Sequence, residues 1–516
     1  MDTSHRFYSD GNVGGVILGI IVITFLVLRI RERLWNPSKM PVFNDRKWFE
    51  FGYGNAKNRY VADPEGLIRH GLKHGGDAFY LYTDANFCLI LSPKYADMIR
   101  NDDRLDLGEF LADDFHLGIP GFEPFSNIAL SSKIIQTTVK TKLARQTANL
   151  VTPLSKEASI ALHNNWGEET AEWHQAKLKR SISNFVGQLS SRGFLGDEDL
   201  CRDSAWLDLA FDLLEESFIA AHILRLWPTP LRRLARWLIP SYRKAMVLLQ
   251  EATKYIQPLL DRKNGSASVK GGSLEKDGSL TTALDWLEDA SKGSAENMTS
   301  LLFTLSLAAL DTSTDLLSKV MCDLSEHPNL VDDLRREIIE VLGKEKMTRS
   351  SLQRLFLLDS VMKESQRIRP LGLVGMLRRA KEKVVLPDGL IIPKATPVMV
   401  STLHMMDSTV WADGDKYDGY RFFNLRKEAN DSLSSRYQFT TTSPDHLGFG
   451  HGRQACPGRH YAATFGKIIL CHIIMKYDFN VLLPEEGVIE LRGHNMLPSP
   501  KIKINIRRRK EEISFE

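Results

Sequence analysis

The longest uninterrupted apolar run lies near the start of the chain. VGGVILGIIVITFLVL, Val13 to Leu28, carries no charge, and Gly11 and Asn12 extend it toward the length that spans a bilayer core. Arg29, Arg31 and Arg33 follow at once, whereas the first ten residues mix His5 and Arg6 with Asp2 and Asp10. The positive-inside rule then places everything after the run in the cytosol. A cleaved signal peptide has a similar apolar region, but its basic residues precede that region and a small-residue cleavage site follows it. The pattern predicts a retained single-pass helix over about 12–30 within an anchor segment 1–34, a proline-containing hinge over 35–45, and one large domain over 46–516.

Beyond the hinge the apolar positions follow two periods. From Phe79 to Leu91 aromatic and apolar residues alternate around a turn at Asp84-Ala85-Asn86, which predicts a small N-terminal sheet. From about Lys133 to Met321 a helical repeat dominates, interrupted by Gly193-Phe194-Leu195-Gly196, by Pro228 and Pro230, and by the polar run Lys263 to Ser279, read as a solvated loop. Further helices are predicted from Leu330 to Leu342, ending at Gly343, and from Ser350 to Ile368, stopping before Pro370. Strands return at Lys383 to Leu386 and Leu390 to Pro393 around Pro387-Asp388-Gly389. The expected fold class is mainly α with small β-sheets. One stretch stays open: Leu224 to Leu238 interleaves Arg225, Arg232, Arg233 and Arg236 with Trp227, Trp237 and leucines, which suits either a segment dipping into the bilayer interface or a core helix with a solvated arginine face.

Composition narrows the function classes. Of 516 residues 43% are hydrophobic, enough for a large core. Basic and acidic residues nearly cancel, 67 against 64, so net charge makes no case for nucleic-acid binding and any basic surface is local. Five scattered cysteines, Cys88, Cys201, Cys322, Cys456 and Cys471, show neither CxxC nor zinc-like spacing, which argues against a disulfide framework and suits a reducing cytosolic face. Sequons at Asn264, Asn297 and Asn430 matter only for a lumenal domain.

One cysteine stands apart. In Phe449-Gly450-His451-Gly452-Arg453-Gln454-Ala455-Cys456-Pro457-Gly458 a thiol sits in a glycine-flanked loop just before a predicted helix, Arg459 to Met475. Glycines free the backbone to turn and to lie flat against a ligand, and the positive helix end with its peptide N–H groups stabilises an anionic sulfur. Upstream, Asp311-Thr312 interrupts the leucine- and alanine-rich helix Leu301 to Leu317, where a carboxyl and a hydroxyl need partners or a task. Thr312 can bond back to the carbonyl of Ala308. Glu364 and Arg367, three residues apart, share one helix face.

Phe-x-x-Gly-x-x-x-Cys-x-Gly, the run Ala308-Ala309-Leu310-Asp311-Thr312-Ser313, the Glu364-x-x-Arg367 pair and Arg421-Phe422, in that chain order apart from the first, together resemble the cytochrome P-450 family of haem-thiolate monooxygenases, and in style its fungal microsomal members. The resemblance implies haem b held by Cys456 as metal ligand, with Phe449, Gly452, Arg453 and Gly458 shaping the cofactor loop. Phe449 is expected to pack beneath the ring and Arg453 to reach a propionate. Either Arg378 or Arg379 is expected to reach a propionate as well, and Leu371 to Met376 and the loop Gly118 to Phe125 to line the pocket. Thr312 would hold the proton needed for O–O cleavage, Asp311 would relay protons from solvent, and Glu364, Arg367 and Arg421 would form a structural network. Two departures appear: only Arg-Phe of the family's Pro-Glu-Arg-Phe is present, and Val139 to Arg145 lacks the tryptophan of Trp-x-x-x-Arg, so that Lys140, Lys142 or Arg145 would substitute.

An axial thiolate suits dioxygen activation. The chain carries no dinucleotide fingerprint or flavin domain, so the resemblance implies electrons from NADPH through a membrane-bound NADPH–cytochrome P-450 reductase, with cytochrome b5 as an optional donor. Arg453, Arg459, His460 and Lys467, with Lys140 and Lys142, are either its docking surface or merely solvated charges. The expected enzyme oxidises a lipophilic secondary metabolite, of terpenoid or related type, at the endoplasmic reticulum membrane. Its rivals are a reductase-independent haem-thiolate isomerase or dehydratase and a non-catalytic haem-binding membrane protein; retention of Asp311-Thr312 disfavours the first.

Overall fold

The computed structural model describes residues 40–50, 52–125, 132–227, 229–269, 282–291, 298–430 and 434–515. The anchor expected over 12–30 lies outside the described residues, and among these no helix is long and apolar enough to cross a membrane.

Strand β1 (Val42–Phe43) runs parallel to β2 (Ala78–Tyr82), which forms with β3 (Phe87–Leu91) the hairpin that the alternation predicts, Phe79 opposite Ile90. The sheet is completed by β4 (Leu105–Asp106), β5 (Val374–Ala380) and β6 (Pro397–Ser401), in the order β1-β2-β3-β6-β5-β4. β5 and β6 are antiparallel, and their register slips between Gly375 and Arg378, where Met376 takes φ +49°. Such a bulge re-aims the side chains that follow it. Along β5 burial still alternates, so that Val374, Met376 and Arg378 share the inner face. A second hairpin, β7 (Ile489–Arg492) with β8 (Asn495–Pro498), lies against the segment entering β5. The predicted turn at Gly389, with φ +88°, joins Val384–Val385 to Ile391–Ile392.

The helices that carry the site are α1 (Ala144–Trp166), α2 (Leu178–Leu195), α3 (Ser204–Leu226), α4 (Pro240–Val269), α5 (Met298–Ser325), α6 (Phe356–Ile368) and α7 (Arg459–Lys476). Helix α5, apolar on nearly every side, is buried as such a helix must be. It packs on α2 and touches α6 and α7, while α1 covers α2 and α7. Trp166 meets Phe185 edge-on at 4.9 Å where α1 and α2 meet.

Three expectations need correction. The helix expected from Ser350 to Ile368 is two, Arg349–Gln353 and α6, because Glu337 on a neighbouring helix accepts from the N–H of Leu357 (2.7 Å) and Leu358 (3.0 Å) and caps a new start. α4 continues through Lys263 to Val269, so the polar run expected as a loop begins as helix, and 270–279 lies outside the described residues. Leu224 to Leu238 is not the core helix that is one of its two readings: after α3 ends it forms short turns, Thr229–Leu231, Arg232–Ala235 and Arg236–Leu238. Pro230 lacks the N–H that a continuous helix would need.

Candidate active site

Cys456 stands two residues before the Gly458 N-cap of α7 and is partly exposed. Its N–H donates to the carbonyl of Phe449 (2.8 Å), which closes the loop. Two glycines make that closure possible: Gly450 and Gly452 take φ +68° and +79°, and a Cβ on Gly452 would come within 2.4 Å of the Arg100 carbonyl oxygen. Burial pushes the Cys456 thiol up, opposed by the N–H groups of Gly458 and Arg459 and by the Arg459 charge. A metal ion would reverse that balance, since a coordinated thiol is deprotonated. Phe449 packs edge-on against Phe439 at 4.9 Å.

The residues around the loop do not all point where the sequence suggests. Arg453, expected at a propionate, is mostly exposed and pairs with Asp103 at the surface. The loop's inner polar contacts are made instead by Gln454, whose amide accepts from the Leu107 N–H and donates to the Leu105 carbonyl, both at 2.8 Å. His451 is buried against Asp97 (3.1 Å) and Thr442 (3.1 Å). Sequence reasoning gave neither side chain a role because the partners Asp97, Leu105 and Leu107 lie 347 to 354 residues away along the chain. Lys140, on the π-helical segment Thr138–Leu143, reaches the Arg453 carbonyl (3.3 Å), whereas Arg145 is exposed. Lys467, expected on a docking surface, is buried: it pairs with Asp359 (2.7 Å) and donates to the carbonyls of Leu352 and Leu355.

Across the core, α5 breaks its burial at one stripe. Ala308 and Thr312 are accessible although residues on both sides along the helix are buried, and Ala309, Asp311 and Ser313 are half-buried. Thr312 Oγ1 donates to the Ala308 carbonyl at 2.8 Å, the back-bond its position predicts. Burial raises the Asp311 carboxyl above its ordinary value, opposed by Lys179, Lys319 and Arg492. A carboxyl next in sequence to an accessible hydroxyl can take part in passing a proton.

The two neighbouring arginines of β5 separate cleanly. Arg379 pairs with Asp113 on the outer face. Arg378 is buried and gives one bond, Nη1 to its neighbour's carbonyl at Leu377 (2.7 Å), while Nε and Nη2 have no acceptor among the described residues. Burial pushes it down to about 10. Two unmet guanidinium donors call for a carboxylate. Haem b carries two, and the donor set of Arg378, the accessible small-residue stripe and the Cys456 loop fits that group.

Glu364, Arg367 and Arg421 meet in one buried cluster. Arg367 forks onto Glu364 through Nε and Nη2, both at 2.8 Å, and Arg421 Nε reaches the same carboxylate at 3.1 Å. The Asp418 N–H donates to it as well, at 3.0 Å. The remaining guanidinium donors meet the carbonyls of Met405, Gly414 and Lys416 from Arg367, and of Ala412, Asp413 and Lys416 from Arg421.

Comparison with known proteins agrees with this geometry. Residues 133–506 match the family model described as cytochrome P-450. The chain is 38% identical over 504 residues to cytochrome P-450 monooxygenase adrA of Penicillium rubens, covering 97% of each. It is 35% identical over 513 residues to monooxygenase esdpI of Penicillium shearii, covering 98% of each, and 34% identical over 519 residues to monooxygenase pyr3 of Aspergillus fumigatus, covering 100% of this chain and 98% of that one. A solved structure, retinoic acid-bound cyanobacterial CYP120A1, superposes with a TM-score of 0.64 at 17% identity, over 91% of this chain and 99% of that one, and shares the fold.

Proposed function

The chain belongs to the cytochrome P-450 family, as a haem b-binding monooxygenase, and from that premise we propose that it oxidises a lipophilic secondary metabolite of terpenoid or related type with electrons from NADPH through a separate reductase. When bound, haem supplies the oxidising iron; the chain's own residues hold and feed it. Cys456 is the thiolate ligand, Arg378 holds a propionate, and Thr312 with Asp311 delivers protons at the Thr312 hydroxyl. The observation that carries the reading is the accessible Ala308/Thr312 stripe with Asp311 beside it, a proton-handling pair that an isomerase or dehydratase does not require. The resemblance places Leu371 to Met376 in the pocket lining, and its apolar members Leu373, Val374 and Met376 suit a lipophilic substrate.

The domain sits, on this reading, on the cytosolic face of the endoplasmic reticulum, anchored by 12–30. Exposed Trp48 and Phe49 follow the hinge, and exposed Leu231, Leu234, Trp237 and Leu238 follow α3. Lys57 joins the two regions by donating to the Arg225 carbonyl at 2.7 Å. Such an apolar surface suits a membrane interface. Lys140, Arg453 and Arg459 beside the cysteine loop are the candidate contact for an acidic reductase face. The experiment is expression in a host that makes candidate scaffolds, with and without reductase, followed by mass spectrometry. Oxygenated products that need the reductase support the proposal. Turnover independent of NADPH and reductase overturns it in favour of an isomerase or dehydratase.

A further inference from the structure

A buried charge on α5 lies outside the chemistry described so far. Lys319 stands seven residues past Thr312, two turns along the same face of the helix, and its side chain is 0% exposed. All three ammonium protons have partners: the Asp315 carboxylate (2.8 Å), the Pro370 carbonyl (3.0 Å) and the Met496 carbonyl (2.7 Å). The two carbonyls belong to segments that pair with each other. Met496 N–H donates to Leu371 (2.9 Å), Leu373 N–H to His494 (2.8 Å), and Gly372 bridges Asn495 so closely that a Cβ there would lie 2.9 Å from the His494 carbonyl oxygen. These are the segments that lead into Val374, Met376 and Arg378 and out of β7.

An ion pair at this depth is an expensive way to fill space, since apolar side chains of the same volume are usually as stabilising. What apolar side chains cannot do is hold two carbonyls from different chain segments at a fixed point. We propose that Lys319, neutralised by Asp315, is a positioning residue: it pins the paired walls 371–373 and 494–496 to α5 at a set distance from Thr312 and thereby fixes which carbon of the substrate is oxidised. The idea rests on the monooxygenase reading above only for its last clause.

The test uses the full-length, haem-loaded enzyme. Asp315→Leu with Lys319→Met replaces both charges by apolar side chains, and Asp315→Asn keeps an acceptor for the ammonium. In the double variant, amide hydrogen exchange should quicken about tenfold or more in 371–373 and 494–496 and nowhere else. Products should spread over neighbouring carbons, with KM rising more than kcat falls. Asp315→Asn, which leaves the ammonium without its counter-charge, should lower Tm yet keep the parent's product pattern, because all three contacts of Lys319 are retained. A folded double variant with the parent's exchange in both segments and the parent's single product overturns the proposal, whatever its Tm. If the double variant does not fold, Lys319→Gln, too short to reach both carbonyls, must loosen the same two segments, and unchanged exchange there overturns the proposal equally. A parent enzyme that oxidises nothing sinks the function proposed above, and the exchange comparison then decides the clamp alone.

Discussion

Two buried arginines, Arg367 and Arg378, lie in regions built on opposite principles. Around Arg367 every guanidinium donor meets an acceptor, two on Glu364 and the others on the carbonyls of Met405, Gly414 and Lys416. Around Arg378 two guanidinium nitrogens meet no acceptor among the described residues, and the one bond it gives is to the adjacent residue. Both side chains are almost fully hidden from solvent. Burial of charge therefore does not by itself mark a binding residue; the balance of donors and acceptors does. A cluster that is complete holds structure, and one that is short of an acceptor is built for something else to supply it.

The contrast breaks hardest at the complete cluster. Arg367→Ala leaves the Glu364 carboxylate with Arg421 as its one remaining guanidinium partner and takes away the donor to the Met405 and Gly414 carbonyls, a change of about 3–5 kcal/mol for a broken buried pair. The expected outcome is little soluble protein, with what remains unable to bind haem, measured by expression yield and thermal unfolding. A variant with the parent's Tm and haem content would place this cluster among the dispensable ones.

Arg378→Met should behave in the reverse way. Without haem the substitution removes two unmet donors, so the fold keeps or gains stability. With haem it loses a charged bond to a propionate, about 1.5–3 kcal/mol or roughly ten- to hundredfold faster haem loss. Haem transfer to an acceptor protein, compared with thermal unfolding of the haem-free form, reads the two effects separately. Destabilisation of the haem-free form with unchanged haem loss would make Arg378 a second Arg367.

The difference between these arginines also measures what the sequence carries. Glu364 and Arg367 are legible because a helix puts positions three apart on one face wherever the helix sits, and the turn around Cys456 because its glycines stand within ten consecutive residues. Arg378 and Arg379 cannot be told apart along the chain. A strand sends one inward and one outward, but which one depends on the register of β5 against β6, and that register shifts at Gly375. Lys467 misled for a related reason: its charge suggests a surface, whereas Asp359 and two carbonyls on other helices receive it. The break before α6 is tertiary too, since no glycine or proline marks it and the cap comes from Glu337.

Acid should test the complete region more gently. His446 lies beside the Arg367 cluster, its ring edge-on to Phe422 and its Nε2 at 3.2 Å from the Lys363 carbonyl. Burial, then the Lys363 charge, holds it well below the usual histidine range. The unfolded chain therefore binds a proton at His446 that the folded one refuses. This contribution to stability is present above the unfolded value, about 6.5, and is lost as pH falls below it, at up to about 1.4 kcal/mol per pH unit. Tm measured between pH 7 and 5 should drop, and His446→Asn should flatten the slope. A slope that the substitution leaves unchanged would assign the acid sensitivity to other buried histidines, of which His472, pushed down to about 3, is the next candidate.

The smallest effect is the one that decides whether the unmatched donors belong to Arg378 alone. Arg379 stands on the outer face of β5, about a quarter exposed and paired with Asp113, which is itself mostly exposed. Such a pair contributes less than about 1 kcal/mol because water and salt screen it. Arg379→Ala should accordingly shift Tm little, leave haem loss at the parent's rate, and respond little to added salt. The same holds for Asp113→Ala, since its carboxylate faces water. If Arg379→Ala instead released haem as fast as Arg378→Met, both guanidinium groups would have to face the cofactor, and the separation of inner from outer arginine by the bulge at Gly375 would be the wrong account of this strand.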